Sequence, residues 1–254
     1  VQEKKFENNS KAMNIALLGY GKMGRAIEPI ALERGHQIVL KVGIENKEDL
    51  TREALQQADV AIEFTGPEAA FDNIVFALGA GVPVVSGSTG WLARYADACK
   101  ASIAAQTGFL YASNFSLGVN IFFEINTLLA RLMAPYTDYR VGITEVHHTA
   151  KLDAPSGTAI TLAEQILAAN PNLTGWVNSP KAGPGELPIE SVRQDPAPGT
   201  HTIQYRSTVD TITITHEAHS RAGFALGAVL AAEFLKDKQG IYDMRHVLGL
   251  NKPL

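Results

Sequence analysis

The chain has 254 residues, 46% of them hydrophobic and 19% charged, enough for one large core or two smaller ones, which excludes a mainly disordered polypeptide. With 22 Lys and Arg against 26 Asp and Glu the formal net charge is -4. No chain-wide basic field exists to hold a nucleic acid, although a small anion needs only local positive groups. The single cysteine, Cys99, excludes an internal disulfide framework and any multi-cysteine zinc site, and fits a reducing compartment, so a cytoplasmic location is expected. Its apolar runs are too short and too interrupted by Gly and Pro to span a bilayer, so no membrane partner is expected.

Residues 1–12 are polar and read as a tail, with the fold beginning at Met13. An apolar run, Ile15 to Leu18, leads into a Gly-rich turn and then a helix from Lys22 to about Arg34, closed by Gly35. Strands follow at about Gln37–Ile44, Val60–Phe64, Val82–Ser86 and Phe109–Ala112. Between them lie a charged helical segment and helices at about Glu68–Leu78 and Leu92–Gln106. Strands alternating with helices in this way predict a Rossmann-type α/β fold, a doubly wound parallel sheet.

After Asn114 the rhythm changes. A longer helix, about Leu117–Met133, precedes strands at Tyr139–His148, His201–Ser207 and Thr211–Glu217 that alternate apolar and polar residues, with a helix at about Ser156–Ala169 between them. This pattern predicts a smaller α+β domain with a mixed sheet. Six of the twelve prolines fall between Asn170 and Thr200, where a long functional or interface loop, or a plain surface excursion, is expected. An Ala-rich helix, Gly223–Leu235, and a mixed ending, Ile241–Leu250, return to the first domain. The expected division is 13–114 with 222–254 for a dinucleotide and 115–221 for substrate binding and oligomerisation.

Gly19-Tyr20-Gly21-Lys22-Met23-Gly24 is a GxGxxG turn between a strand and a helix. Its glycines permit the tight turn, the approach of a pyrophosphate to the backbone and close packing of helix on strand, while amides at the helix start face the phosphates. An acidic residue that selects NAD belongs about 20 residues on. That count reaches Gly43, flanked by Lys41 and Lys47 with Glu45 nearby, which leaves NADH and NADPH both open. Phe64-Thr65-Gly66-Pro67 and Gly87-Ser88-Thr89-Gly90 follow the third and fourth strands, on the edge where such sheets bind ligands, and Phe64 joins the cofactor set.

The densest chemistry lies in Glu145-Val146-His147-His148-Thr149-Ala150-Lys151-Leu152-Asp153-Ala154-Pro155-Ser156-Gly157-Thr158-Ala159. Adjacent histidines on an extended backbone point to opposite sides, so no metal site is expected from the pair. Each is either a satisfied structural histidine or a proton carrier; two of them beside Lys151 favour proton chemistry. Asp153 and Ser156 are candidate helix caps, and amides at Gly157 and Thr158 suit a carboxylate. Arg221, where the chain crosses back between domains, is either an interdomain salt bridge or a ligand or hinge contact, and is placed with the cofactor set.

The segment from Glu145 to Ala159 resembles the signature of the dihydrodipicolinate reductase family. The GYGKMG turn, the FTGPE and SGSTG loops, Ser113-Asn114-Phe115-Ser116, Ser220-Arg221 and Tyr242-Asp243-Met244-Arg245 follow in the family's order, so that the resemblance covers the chain from Met13. It implies reduction, by NADH and/or NADPH, of the small dianionic cyclic dicarboxylate 4-hydroxy-tetrahydrodipicolinate to tetrahydrodipicolinate with release of water, in lysine and diaminopimelate biosynthesis. It also implies a cytoplasmic homotetramer assembled through the substrate-domain sheets, with no nucleic acid or membrane partner. By motif match His147 is the acid/base catalyst, Lys151 the proton donor and a substrate ligand, and His148, Gly157 and Thr158 bind substrate beside Ser156. Gly19, Tyr20, Gly21, Lys22, Met23, Gly24, Gly87, Ser88, Thr89, Ser113, Asn114 and Phe115 line the cofactor site.

Overall fold

The computed structural model describes residues 11–220 and 222–250; most of the 1–12 tail, and Arg221, lie outside them. The chain forms two compact units, one running to Ser116 and resuming at Phe224, the other Leu117–Gly223.

The first unit holds a six-stranded sheet in which β1 (Asn14–Leu18), β2 (Gln37–Val42), β3 (Val60–Glu63), β4 (Val84–Ser86), β5 (Gly108–Tyr111) and β11 (Gly240–Tyr242) lie in the order β11-β5-β4-β3-β1-β2. All five pairings are parallel. Strands covered on both faces need apolar residues at every position, and β1 supplies them: Ile15 and Leu17 enter one core, Ala16 and Leu18 the other. On the first face lie α1 (Lys22–Glu33) and the Ala-rich α7 (Ala222–Leu235), whose Ala225, Ala228, Val229 and Ala232 are fully buried. The second face is covered by α2 (Arg52–Leu55), α3 (Ala70–Gly79) and α4 (Tyr95–Ala105) through Leu55, Ile74, Leu78 and Ala98. Glu233 of α7 is fixed by Arg34 (2.7 and 2.8 Å) and His36 (2.8 Å). The order of strands reverses at β1, so its carboxyl end and that of β3 flank the crevice where doubly wound sheets take their ligands.

The second unit is a five-stranded mixed sheet of β6 (Arg140–His147), β7 (Gly175–Val177), β8 (Glu186–Arg193), β9 (Thr200–Arg206) and β10 (Thr211–Glu217), in the order β10-β9-β6-β8-β7. Central β6 pairs antiparallel with β9 and parallel with β8. One face carries α5 (Leu117–Met133) and α6 (Gly157–Ala169) over a core of Phe122, Leu162, Ile166, Ile143, Leu187, Ile189 and Ile203. Buried Asn126 ties the two helices by donating to Leu162 O and Gln165 Oε1. The opposite face is polar, with Thr202 and Thr215 hydroxyls 3.1 Å apart and Gln204 donating to Thr213.

The stretch between Asn170 and Thr200 departs from expectation. It is not one long loop, because β7 and β8 occupy it, and β8 is the parallel neighbour of β6. Leu187 and Ile189 are fully buried while Pro188 and Glu190 alternate with them toward the other face. Counting prolines hid this period-2 pattern, since a strand tolerates a proline wherever no ladder bond requires its amide. The charged segment after β2 likewise shortens to a 3-10 turn, Lys47–Asp49, and the single turn of α2.

Candidate active site

The first unit's glycine turn has the form that a dinucleotide requires. Gly19 adopts φ +98, and a Cβ there would stand 2.2 Å from Phe64 O. Gly24 brings α1 so close that a Cβ would meet Gly19 O at 2.6 Å, whereas nothing lies within 4 Å of one on Gly21. The turn is pinned by Gly19 and Tyr20 N–H bonds to Val42 O, each 2.9 Å, and α1 starts without a side-chain cap. Open space at the middle glycine and uncapped amides beside it fit a pyrophosphate. Lys22 is exposed and Met23 half-buried at the helix start.

At the end of β2, Gly43 N–H donates to Asn46 Oδ1 at 2.7 Å, and Glu45 is exposed beyond it. Lys41 instead meets Glu28 at 2.5 Å, and Tyr20 donates to the same carboxylate. The Lys41 pair and Tyr20 hydroxyl hold Glu28 below the usual carboxylate range.

Glu63, fully buried at the end of β3, is a residue that sequence reading missed. It accepts from Thr65 N (2.7 Å) and Oγ1 (2.5 Å), Ser86 Oγ (2.6 Å) and Ser88 Oγ (2.7 Å). One carboxylate thereby binds the FTGPE loop to the SGSTG loop. Gly87 sits between the rings of Phe64 and Phe115, where a Cβ would approach to 2.2 and 2.9 Å, and the two rings stand 5.6 Å apart. Asn114 Oδ1 caps Ser116 N–H, and Thr89 and Ser113 remain exposed. Three predicted cofactor loops thus meet around Gly87. The signal for Glu63 was a lone charged residue closing a buried apolar strand.

In the second unit β6 delivers Glu145 and His147 to the same buried face, as period-2 alternation requires. Glu145 is fully buried and accepts from Ser156 N–H (3.1 Å to each oxygen) and from Arg193 Nη2 (3.1 Å). His147 Nδ1 lies 3.2 Å from its other oxygen and His201 Nε2 3.8 Å. Burial alone would raise the Glu145 carboxyl, but His147, Ser156 and Arg193 outweigh it and hold it well below the ordinary carboxylate range. Glu145, His147 and His201 are of metal-ligand type, and their ligand atoms lie within 4.8 Å of one another. Arg193 supplies the positive charge that this carboxylate needs, while His147 Nδ1 and His201 Nδ1 are buried without an aligned hydrogen-bond partner among the described residues.

Arg193, on β8 in the stretch expected to be a loop, is the second residue missed. Its guanidinium donates to Lys151 O (3.3 Å), Asp153 O (2.7 Å), Val192 O (2.9 Å) and Glu145. It therefore holds the backbone around Lys151, whose Nζ donates to both oxygens of Asp153 at 2.8 and 2.9 Å. Asp153 is thus the lysine's partner and not a helix cap. Ser156 is the cap of α6: its Oγ accepts from Ala159 N–H and bonds His201 Nε2 at 3.0 Å. Both of its polar groups face inward, while Gly157 next to it is exposed with nothing within 4 Å of a Cβ. His148 is half-buried, with its N–H on Ala197 O, and Thr158 opens the helix behind Gly157.

Residues 13–115 match the family description "Dihydrodipicolinate reductase, N-terminus" and residues 118–248 "Dihydrodipicolinate reductase, C-terminus". The chain is 53% identical over 239 residues to the 4-hydroxy-tetrahydrodipicolinate reductase of Christiangramia forsetii, covering 93% of this chain and 98% of that one. The reductase of Neisseria meningitidis serogroup C is 38% identical, with 88% and 84% covered. Among solved structures, a dipicolinate-bound dihydrodipicolinate reductase from Paenisporosarcina sp. TG-14 superposes with a TM-score of 0.73 at 23% identity over 92% of this chain and 98% of that one.

The burial of two histidines sets a pH response. His201 is pushed down to about 4 by burial, aided by neighbouring His147 and His216 and opposed by Glu145, and burial lowers His216 as well. Below the ordinary histidine value of 6.5 the unfolded chain takes up the proton that folded His201 refuses. Stability is therefore full above pH 6.5 and falls toward pH 4 by about 1 kcal/mol per unit from His201. Thermal melts from pH 7.5 to 5 should show that slope, and His201→Gln should flatten it. An unchanged slope in the variant would remove His201 as its source.

Proposed function

The chain belongs to the dihydrodipicolinate reductase family, and we propose that it reduces 4-hydroxy-tetrahydrodipicolinate to tetrahydrodipicolinate with release of water, His147 and Lys151 handling the protons. The observation that carries this reading is the union, through Glu145 and Arg193, of His147, the Lys151 loop and the start of α6 in one cluster. The reaction serves lysine and diaminopimelate biosynthesis, as in the relatives of that name.

A nicotinamide dinucleotide suits the residues of the first unit. Gly19, Gly21 and Gly24 with Tyr20, Lys22 and Met23 would hold its pyrophosphate, and Phe64, Gly87, Ser88, Thr89, Ser113, Asn114 and Phe115 would border its nicotinamide end. Bound there, it supplies the hydride. No carboxylate stands at Gly43 to repel a 2'-phosphate, which supports the use of both NADH and NADPH.

The protein's own residues supply the rest. Loss of the 4-hydroxyl as water requires a proton on the leaving oxygen and removal of a proton from the carbon between it and the imine, and it leaves a carbon-carbon double bond conjugated to the imine. Hydride addition at the far carbon of that bond pushes an electron pair toward nitrogen, and a proton must reach the adjacent carbon to restore the imine. His147 serves as acid/base and Lys151 as donor of that proton. A substrate carboxylate replaces Asp153 as the partner of Lys151 and meets His148 and the amides of Gly157 and Thr158. Ser156, with its polar atoms turned inward, supports this surface from behind.

The uncovered polar face of the second sheet, with Arg140, Thr144, Gln204 and Arg206, supports a homotetramer built through it, and sedimentation velocity should give the mass of four chains. No helix among the described residues is long and apolar enough to cross a membrane.

Lys151→Ala should lower kcat by about 100-fold or more while leaving the Kd for NADH, read by fluorescence titration, within about twofold; wild-type turnover in that variant ends the assignment. The same assay run with each dinucleotide should give kcat/KM values for NADH and NADPH within about tenfold. A ratio beyond about a hundred, roughly 3 kcal/mol, would show that Gly43 does not leave the choice open.

A further inference from the structure

We propose that Glu145 is a positioning residue that keeps the proton of neutral His147 on Nδ1 and so reserves Nε2 for proton exchange with substrate. The inference rests on the reading of His147 as the acid/base group and adds to it the means by which the correct ring nitrogen is presented.

Three observations carry it. First, His147 Nδ1 is completely buried and has no aligned hydrogen-bond acceptor among the described residues, so Glu145 Oε2, 3.2 Å away, is the group that decides whether a proton resides there. A carboxylate accepts and never donates while ionised, and it therefore admits only the Nδ1–H form of the neutral ring.

Second, Glu145 cannot turn away. Ser156 N–H holds both of its oxygens and Arg193 holds Oε1, leaving Oε2 against the imidazole. Its burial is outweighed by His147, Ser156, Ser191 and Arg193 together, which hold the carboxyl well below the ordinary range.

Third, Nε2 is the ring nitrogen left uncommitted. Gly199 lies beside it with φ +154, and a Cβ there would stand 3.0 Å from Nε2. Among the described residues Nε2 has no hydrogen-bond partner, and of the two ring nitrogens only Nδ1 is fully enclosed. His201, the other ring in the cluster, is differently placed. It lies in edge contact with His147 at 5.1 Å, and its Nε2 is committed to Ser156.

Glu145→Gln is the discriminating variant. The amide oxygen can still accept from Arg193 and Ser156, which turns the amide nitrogen toward His147. An NH2 group donates to Nδ1 and forces the ring proton to Nε2. Magic-angle-spinning 15N spectra of histidine-labelled protein, assigned with a His147→Gln sample, read the tautomer directly. We expect Nδ1–H in the neutral ring of the wild type and Nε2–H in Glu145→Gln. With this reversal kcat should fall about 100-fold or more, KM for NADH should stay within about twofold, and the alkaline limb of the pH–kcat profile should move. Glu145→Asp, which keeps the charge, should retain the Nδ1 proton and recover part of kcat.

A wild-type neutral ring protonated on Nε2 overturns the proposal without recourse to any variant. So does a folded Glu145→Gln protein that keeps the Nδ1 proton, whatever its kcat, because a purely structural loss would lower activity and leave the tautomer unchanged. If the wild type fails to oxidise NADH with 4-hydroxy-tetrahydrodipicolinate, the reductase reading fails, while the tautomer spectra still decide what Glu145 does to His147.

Discussion

The second unit is organised around one requirement: a carboxylate buried with no access to water must be met by donors from every side. Glu145 occupies the third-last position of β6, the central strand. An unpaired carboxylate there would cost several kcal/mol. Its compensation comes from the start of α6 through Ser156 N–H and from the end of β8 through Arg193, while His201 of β9 braces Ser156. Meeting that need fixes where β6 ends, where α6 begins and how β8 lies beside them. The segment 148–155, which carries Lys151, is the connection between two of these fixed points, and Arg193 grips it at two carbonyls.

The first unit meets the same problem by other means. Glu63 also ends a buried strand, yet its four donors are a backbone amide and three hydroxyls, with no ion pair among the described residues. The difference suits the anion each unit is to receive. In the proposed reading, with a dinucleotide near it, the Glu63 hub holds two loops in register without adding a cation that would compete for phosphate. Near a dicarboxylate substrate a guanidinium at the hub is an asset, since it neutralises Glu145 and leaves Lys151 and the α6 amides for the ligand.

Much of this could be read from the sequence because the signals were local. Continuous apolar runs separated by helical periods gave the parallel sheet, and GxGxxG between Leu18 and Lys22 gave its binding turn. The spacing of His147, Lys151 and Ser156 likewise marked one chemical segment. What escaped was long-range or masked. Arg193 lies 42 and 40 residues from the Lys151 and Asp153 carbonyls it holds, and β8 was hidden by its prolines although Leu187 and Ile189 alternate as a half-buried strand should. Glu63 and Glu145 were passed over although both lay inside the expected strands Val60–Phe64 and Tyr139–His148, because nothing local marks a lone carboxylate in a strand as enclosed. Only the packed structure shows it to be enclosed. Asp153 was read as a cap on position alone, and the hydroxyl of Ser156, which accepts from Ala159 N–H, decides between the two candidates.

Charge around Glu145 closes the argument about why two histidines are present and only one is suited to chemistry. Glu145 contributes one negative charge and Arg193 one positive, so the hub is neutral before either imidazole is counted. His201, enclosed and lowered to about 4, stays uncharged at neutral pH and serves as a hydrogen-bonded spacer between Ser156 and His147. A proton arriving at His147 therefore adds a net positive charge to an otherwise balanced cluster. A second charged ring 5.1 Å away would repel that proton, and its absence follows from the burial of His201. The enclosure that makes His201 sensitive to acid unfolding thus also keeps the ring beside His147 uncharged at neutral pH.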